Sequence, residues 1–511
     1  MFAKRYGPDD LIDILGAASY EPNLVSTCRQ VESDPHLSIY LSKKPSLGVT
    51  GTIAKDYVAA DTPKAIPYIT TKQVKGLHTY LDDVKYISAA ADAEWEKCRV
   101  DDGDIVINKS GNVGAAAVLR CSPYAYVNSV SDIINIKIAD GAQIDKEFLV
   151  VYLNSKWGQG QLRRLSGGAI FDHVSLHAIP NINVPSIDLI AQEYIGDKVR
   201  QAEQLRVWAS KCFAGAQFSL PQHHNSIPHS TKKSYRTTTG VLSSDRLDPQ
   251  FYHPNQLALE ESISKAQASK LEQHCKKVTD TWKKTSEKFV YYEIGSLNTV
   301  DGTILGEITA TIDAPSRATT KVTIGDILVS TVRPNRKNVA LVYDEFDALQ
   351  RVATSGFTVL RFPDLETAVL FHTWLRSDDA TQQLLRWNTG SAYPAIDENV
   401  PLVIKAPNFE DEFRKTWGPR LANGFKAMLA ARCLNEAAKL LVEALIDGKL
   451  LETDLEHARL ELDTGNRATD RSILNRLAKS GMDESGDKLF PELSDLYDLL
   501  GMIEKDEENQ A

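Results

Sequence analysis

The stretch Val100-Asp-Asp-Gly103-Asp104-Ile105-Val-Ile107 returns 222 positions later as Val322-Thr-Ile-Gly325-Asp326-Ile327-Leu-Val329. The same offset carries Tyr152-Leu153-Asn-Ser155 onto Trp374-Leu375-Arg-Ser377, Gly168 onto Gly390 and Pro185 onto Pro407. One spacing kept over more than 80 residues marks an internal duplication, which decides the fold before local propensities are weighed. Upstream, Tyr20-Glu-Pro22-Asn23 parallels Tyr252-His-Pro254-Asn255 at an offset of 232, a difference of ten residues. The chain reads as two diverged copies of one unit of about 200 residues.

Outward from the decisive stretch, each copy shows the same order of signals. β-type runs come first, at 66–71 and 289–294, then the Gly-Asp-Ile strands, then Ile133-Ile-Asn-Ile-Lys-Ile138 and Phe357-Thr-Val-Leu-Arg-Phe362. A single helix of about 20 residues is predicted at 145–165, with Phe148, Leu149, Tyr152 and Leu153 on one apolar face, and its counterpart at 366–387. Ser166-Gly167-Gly168-Ala-Ile170 and Thr389-Gly390-Ser391-Ala-Tyr393 then turn toward strands ending at Pro185 and Pro407. Each unit is therefore expected to be a mixed α/β domain.

A long helix follows each unit. Ile195, Val199, Ala202, Leu205, Ala209 and Cys212 fall close to the three–four alternation of a coiled-coil seam, and Ala427, Ala431, Leu434, Ala438, Leu441 and Leu445 keep it strictly. Two seams of similar length predict that the helices pair, in preference to each lying on its own domain. Between the copies, 219–240 is polar, holds Pro221 and Pro228 and lacks periodicity, which predicts an exposed linker.

The 511 residues carry 58 basic and 68 acidic side chains, a formal charge of −10. From Glu452 onward there are 16 acidic and 7 basic residues, so −9 belongs to the last segment and −1 to residues 1–451. The composition is that of an ordinary soluble protein, with no apolar run of about 18 residues and no secretory leader, so a cytoplasmic location is expected. Six singly scattered cysteines offer neither a disulfide framework nor a zinc site.

Taken in order, these features resemble the specificity subunit of type I restriction-modification enzymes. The resemblance covers roughly residues 13–450 and rests on Gly103-Asp-Ile-Val-Ile-Asn-Lys109-Ser110-Gly111, Gly325-Asp-Ile-Leu-Val-Ser-Thr331-Val-Arg333-Pro334, Val184-Pro185 with Gln192, and Glu443-Ala-Leu-Ile-Asp-Gly448. It implies target-recognition domains at 1–187 and 241–407, spacer helices at 188–217 and 408–449 pairing as an antiparallel coiled coil, a linker at 218–240 and an acidic extension at 450–511. It also implies double-stranded DNA as ligand, an S-adenosylmethionine-dependent adenine methyltransferase as partner, and an ATP-driven restriction subunit. A helix of 25 to 30 residues rises ~40 Å, slightly more than the ~34 Å of one DNA turn, so the helices would act as a ruler between half-sites.

Two departures from the pattern stand out. Arg414 occupies the position of Gln192 in the second copy, and Gly111 and Gly114 map onto Arg333 and Arg336, so that loop is expected to follow a different backbone path. The segment after residue 451 has no counterpart behind the first helix.

Catalytic chemistry is not expected in this chain. No Pro-Pro occurs, so the Asn/Asp-Pro-Pro-Tyr/Phe motif of adenine methyltransferases is missing, and no phosphate loop of the Gly-x-x-x-x-Gly-Lys-Ser/Thr type is present. Cofactor and metal sites are expected to be none. DNA binding instead needs cations for phosphate and planar hydrogen-bonding groups for base edges. The candidates are Lys109, Ser110, Asn112, Arg163, Arg164, Gly167 and Gly168 in the first copy, and Arg333, Asn335, Arg336, Lys337, Arg386, Gly390 and Ser391 in the second.

Several of these carry a second reading. Arg163, Arg164 and Arg386 sit where a helix C-terminus favours any cation by ~0.3–1 kcal/mol. Lys109 also fits a solvated strand edge, and Tyr393 and Trp387 are expected in the core, with stacking on a base as their second reading. An alternative function is a scaffold of an anti-phage assembly. Its helices and acidic tail would recruit partners through Leu489-Phe490, Leu493, Leu496-Tyr497 and Leu499-Leu500, although a solvated terminal helix is the simpler expectation.

Overall fold

A computed structural model describes residues 6–7, 11–12, 16–51, 53–81, 83–167, 173–231, 234–243, 246–344, 346, 349–389, 393–482, 487–490 and 492–508. The chain forms two compact units, Met1–Gln204 with Ala430–Tyr497, and Leu205–Leu429 with Asp498–Ala511. The boundary falls inside both long helices, so each unit contains half of each.

The duplication is visible strand by strand. In the first unit one sheet runs Ser46–Leu47, Ile133–Ile136, Ile105–Asn108, Ala116–Val118. In the second it runs Lys276–Lys277, Phe357–Arg361, Ile327–Ser330, Val339–Leu341, with the same all-antiparallel pairing. A second sheet in each unit is built around one parallel pair, Ile66–Ile69 with Tyr126–Ser129 and Lys288–Tyr292 with Gln350–Thr354.

The Gly-Asp-Ile strands are buried on both faces. In the second unit Leu328 packs toward Val290, Tyr292 and Ala353 of the neighbouring sheet, whereas Ile327 and Val329 face Val369, Leu370 and Trp374 of the helical layer. Alternation of side chains across a strand explains why the sequence there is continuously apolar.

The single 20-residue helix expected in each copy is instead two. In the first unit Lys146–Asn154 ends and Lys156–Arg164 begins at Ser155, whose hydroxyl accepts the Gly158 N–H. In the second, Leu365–Leu375 gives way to Asp378–Arg386, and Ser377 accepts from Ala380. The serine of Tyr-Leu-x-Ser is thus an N-cap, a contribution of about 1 kcal/mol, and an extended backbone at that residue ends the first helix. Gly158 lies in the turn so formed, where a Cβ would come within 2.2 Å of the Tyr152 carbonyl oxygen.

The long helices run over Leu189–Ser219 and Asp411–Ile446. All six seam residues of the first are buried, as are Ala427, Ala431, Leu434, Ala438 and Leu441 of the second. Within the second unit the two helices pass in opposite directions. The Phe213 and Phe425 rings lie 5.1 Å apart, and two residues beyond Phe213 the Gly215 position faces Trp417, eight residues before Phe425. A Cβ on Gly215 would meet that indole at 2.8 Å. Gln192 sends its amide to the Ile187 carbonyl, and Arg414 sends its Nε to the Phe409 carbonyl, each five residues back. The substitution of arginine for glutamine therefore keeps the same local tie.

The linker carries one anchored turn, and the tail differs from the expectation of a solvated helix. His223–Ser226 is a short helix whose first two N–H groups, from His223 and His224, reach the Asp379 carboxylate. The tail folds as Glu452–Asp463, Ala468–Arg476, a small hairpin and Leu493–Glu508. Leu489, Phe490, Leu493, Leu496, Tyr497, Leu499 and Leu500 are all buried. In the first unit Asp470 accepts hydrogen bonds from Lys198 at 2.5 Å and Tyr194 at 2.7 Å, with Tyr497 on its other oxygen. Lys198 and Asp470 are 0% and 3% exposed. A solvated terminal helix is thereby replaced by a segment that uses its apolar face within the fold.

Candidate nucleic-acid interface

The Gly-Asp-Ile motif builds the entry to the central strand. Gly103 and Gly325 take φ of +81° and +86°, and the following Asp104 and Asp326 accept the N–H of Asp101 and Thr323 three residues earlier. Asp326 is also gripped by Arg361 through two bonds of 2.7 Å. Burial raises the Asp104 carboxyl above the usual range, partly offset by the Asp101 N–H and Lys137. These aspartates are turn residues and hold the strand, not a ligand.

The loop leaving that strand carries half of the predicted site. Both versions turn two left-handed corners, yet the path between them differs as expected, because the second corner falls at Lys337 and not at Arg336. Gly111 and Arg333 are both left-handed, at φ +73° and +52°, and so are Gly114 and Lys337, at +80° and +54°. The second loop is one residue longer, since Ile107 pairs with Ala116 whereas Val329 pairs with Val339. Arginine and lysine hold conformations that cost a non-glycine residue of order 1 kcal/mol each.

Both loops are stitched to the turn that follows the helix pair. The Lys109 carbonyl accepts Val174 N–H at 3.2 Å, and the Thr331 carbonyl accepts Ile396 N–H at 2.9 Å, again 222 positions apart. The predicted loop and the predicted turn therefore form one continuous edge in each unit. Gly167 belongs to it, pairing with His173. Gly168, Gly390 and Ser391 lie outside the described residues.

In the second unit this edge is basic and rigid. Arg333 donates its N–H to Pro394 at 2.7 Å and lays its guanidinium 4.9 Å over the Tyr393 ring. Asn335 and Arg336 are exposed, while Lys337 pairs with Asp378 at 2.9 Å. From beneath, Arg376 donates to the carbonyls of Thr299, Val300, Lys337 and Val339 at 2.6 to 3.4 Å. It thereby ties a second turn, at 299–302, to the basic loop. Burial brings its guanidinium down to about 10, an effect that nearby Asp301 opposes.

Gln159 does the equivalent work in the first unit, donating to the Gly114 carbonyl at 2.9 Å. Asn108 bonds the carbonyls of Thr71 and Val74, so the turn bearing exposed Lys72 adjoins the loop of Lys109, Ser110 and Asn112. Lys72, Val300 and Arg376 were not singled out from sequence. Only the pairing pattern reveals that their turns reach the same edge.

The helix-terminal arginines separate. Arg163 is exposed at the end of its helix. Arg164 lies against the Cys28 thiol, which burial pushes up and this guanidinium lowers. Arg386 is held inside the unit, donating to the Phe251 carbonyl, pairing with Glu260 and stacking 4.1 Å from the Phe251 ring. Its role is packing, and its charge is spent on internal partners. Trp387 is partly buried against Phe251, near the expected core position. Tyr393 is not in the core but 67% exposed, because it stands on the turn and not on the sheet.

Among the described residues no group of three or more His, Cys, Asp or Glu side chains could hold a metal, and no helix is long and apolar enough to cross a membrane. One buried histidine is explained by structure. His372 faces the Gly302 carbonyl at 3.2 Å and is driven down to about 3 by burial, with Arg376 adding to the shift.

No family model matches the chain, and no curated protein matches it. Among solved structures the chain is similar to the S subunit of a type I restriction-modification system from M. genitalium, at 11% identity and a TM-score of 0.35, covering 90% of this chain and 96% of that one. It is also similar to the HsdS subunit from Thermoanaerobacter tengcongensis, at 11% identity and a TM-score of 0.25, covering 80% and 98%. A third similar chain comes from a structure on complex assembly and conformational transition of the type I restriction-modification system, at 13% identity and a TM-score of 0.25, covering 82% and 98%. Likenesses this distant carry no functional weight by themselves.

Proposed function

We propose that the chain is a non-catalytic DNA-recognition subunit. It reads a bipartite sequence on double-stranded DNA and directs a partner adenine methyltransferase to it, with an ATP-dependent restriction subunit joining where methylation is coupled to cleavage. The observation that carries this reading is the edge built twice: one loop, one turn and one connecting hydrogen bond, repeated at a fixed offset in two α/β units. A protein that reads two half-sites needs two such edges, and a catalyst would need one.

The chemistry of the edges suits the task. Arg333 and Arg336 offer the paired donors that match guanine O6 and N7, Asn335 offers the donor and acceptor that match adenine, and Lys109 and Lys72 offer cations for phosphate. The helices, 31 and 36 residues long, rise roughly 46 and 54 Å, enough to hold half-sites a full DNA turn apart. S-adenosylmethionine would bind in the partner, in keeping with the missing Pro-Pro motif. The scaffold alternative loses its motive, since the apolar tail residues that suggested it are buried.

Comparing genomic adenine methylation with and without the gene tests the proposal. A split motif that loses methylation on deletion is the expected result. Unchanged methylation, with no salt-sensitive duplex binding by the chain and its methyltransferase together, would sink it.

A further inference from the structure

We propose that the Arg333 and Tyr393 side chains form a stacking platform for a single unpaired nucleobase at the edge of the second unit. This rests on the DNA-recognition reading and names what part of the DNA that edge takes. Tyr393 is 67% exposed, a large aromatic that gains nothing from burial where it stands. Its ring is met at 4.9 Å by the Arg333 guanidinium, a flat cation. An exposed aromatic beside a planar guanidinium is the surface on which bases stack without regard to sequence, because every base has a π-face.

The backbone shows that the pairing is imposed. Arg333 is left-handed at φ +52°, where the matching residue of the first unit is Gly111. Its N–H is fixed to Pro394, next in chain to Tyr393. The strained conformation thus sets cation and ring on the same short stretch of surface. Asn335 and Arg336, both exposed, flank the pair with groups able to meet a base edge or a phosphate. Paired bases in a duplex hide their faces, so the ligand class is a base that has left the stack, in a distorted duplex or a single strand.

The test uses the full chain and a fluorescent 20-nucleotide oligothymidylate, beside a duplex of mixed sequence. Wild type should bind the single strand, Tyr393→Ala should weaken that binding about tenfold, and Tyr393→Trp should retain it. Melting temperatures should match throughout, since the side chain is exposed. In the Tyr393→Trp variant the added indole should be quenched on titration with the oligonucleotide. No binding of the single strand by wild type, equal binding by Tyr393→Ala, or no quenching at position 393 would each overturn the proposal. Salt-sensitive duplex binding by the chain together with its methyltransferase that survives such a result leaves the recognition reading standing, whereas its absence removes both.

Discussion

The two units solve one loop with different residues. Glycines turn both corners in the first, at Gly111 and Gly114, and Arg333 and Lys337 turn them in the second. Glycine permits a left-handed backbone at little steric cost and lets the chain approach a partner closely. Arginine and lysine hold the same backbone under strain and gain charge. The difference teaches that the halves of a duplicated reader need not contribute alike. On the proposed DNA-recognition role, the second edge would add an aromatic ring and a denser cluster of cations, and the first glycines that admit close approach beside Lys109 and Lys72.

The tail attachments diverge in the same way. The first unit fixes its part of the tail through Lys198 and Asp470, both essentially without solvent contact. The second uses Asp506, 35% exposed, which accepts from Trp208 and Arg420 at 3.0 and 3.2 Å.

The largest test of this contrast is Asp470→Ala. It strands the Lys198 ammonium in the interior, and a loss of about 3–5 kcal/mol is expected in denaturant unfolding of the first unit. A loss under about 1 kcal/mol would show that the pair is not the anchor. Although burial raises the Asp470 carboxyl, Lys198 and the two tyrosines outweigh it and hold it below the ordinary value. Its stabilising contribution is therefore present above the unfolded value near 3.9 and lost as pH falls through the lower folded one.

Acid should next distinguish the units at milder pH. The unfolded His372 imidazole takes a proton near 6.5, the buried one only near about 3. The folded second unit is thus at full stability above 6.5 and loses about 1.4 kcal/mol per pH unit on descending between these values. Buried Val150 stands at the matching position of the first unit and does not titrate. Thermal melts at pH 7, 6 and 5 should show the second unit weakening first, and His372→Phe should flatten its slope. Parallel losses in both units would break the comparison.

Arg336→Ala should reduce the salt dependence of duplex binding by about one counterion, a slope change near 0.9, with a smaller change for Lys109→Ala. Titrations across a salt series read both, and equal effects would mean that the two edges share the electrostatic work. Smallest of all, Asp506→Ala should cost under about 1 kcal/mol, because Asp506 and Arg420 keep access to water. A larger loss in thermal melts would place the second anchor on a par with the first.

The repeat made the fold legible. The offset of 222 found the Gly-Asp-Ile strands, whose pairing partners lie 224 apart, and 222 again links Lys109 with Thr331 and Val174 with Ile396. Periodicity could not show the helix break at Ser155 and Ser377, since apolar faces continue across an N-cap. Nor could it place Tyr393, because a turn aromatic and a core aromatic look alike in sequence. The second loop follows a different path, one residue longer with a 3-10 turn at Pro334–Arg336, but direct mapping could not show that its second left-handed corner sits at Lys337, whose carbonyl Arg376 holds. The internal partners of Arg386, Glu260 and the Phe251 carbonyl, could not be read from the sequence because they lie far away in it.

The matched corners have an evolutionary consequence. Each loop leaves one strand and enters the next through an equivalent hydrogen bond, Asn108 N–H to the Ala115 carbonyl in the first unit and Ser330 N–H to the Asn338 carbonyl in the second. Whatever lies between the corners is a cassette with standard ends. Recombination between the two gene halves could exchange 109–114 for 331–337 and change what one half of the molecule selects while leaving its sheets intact.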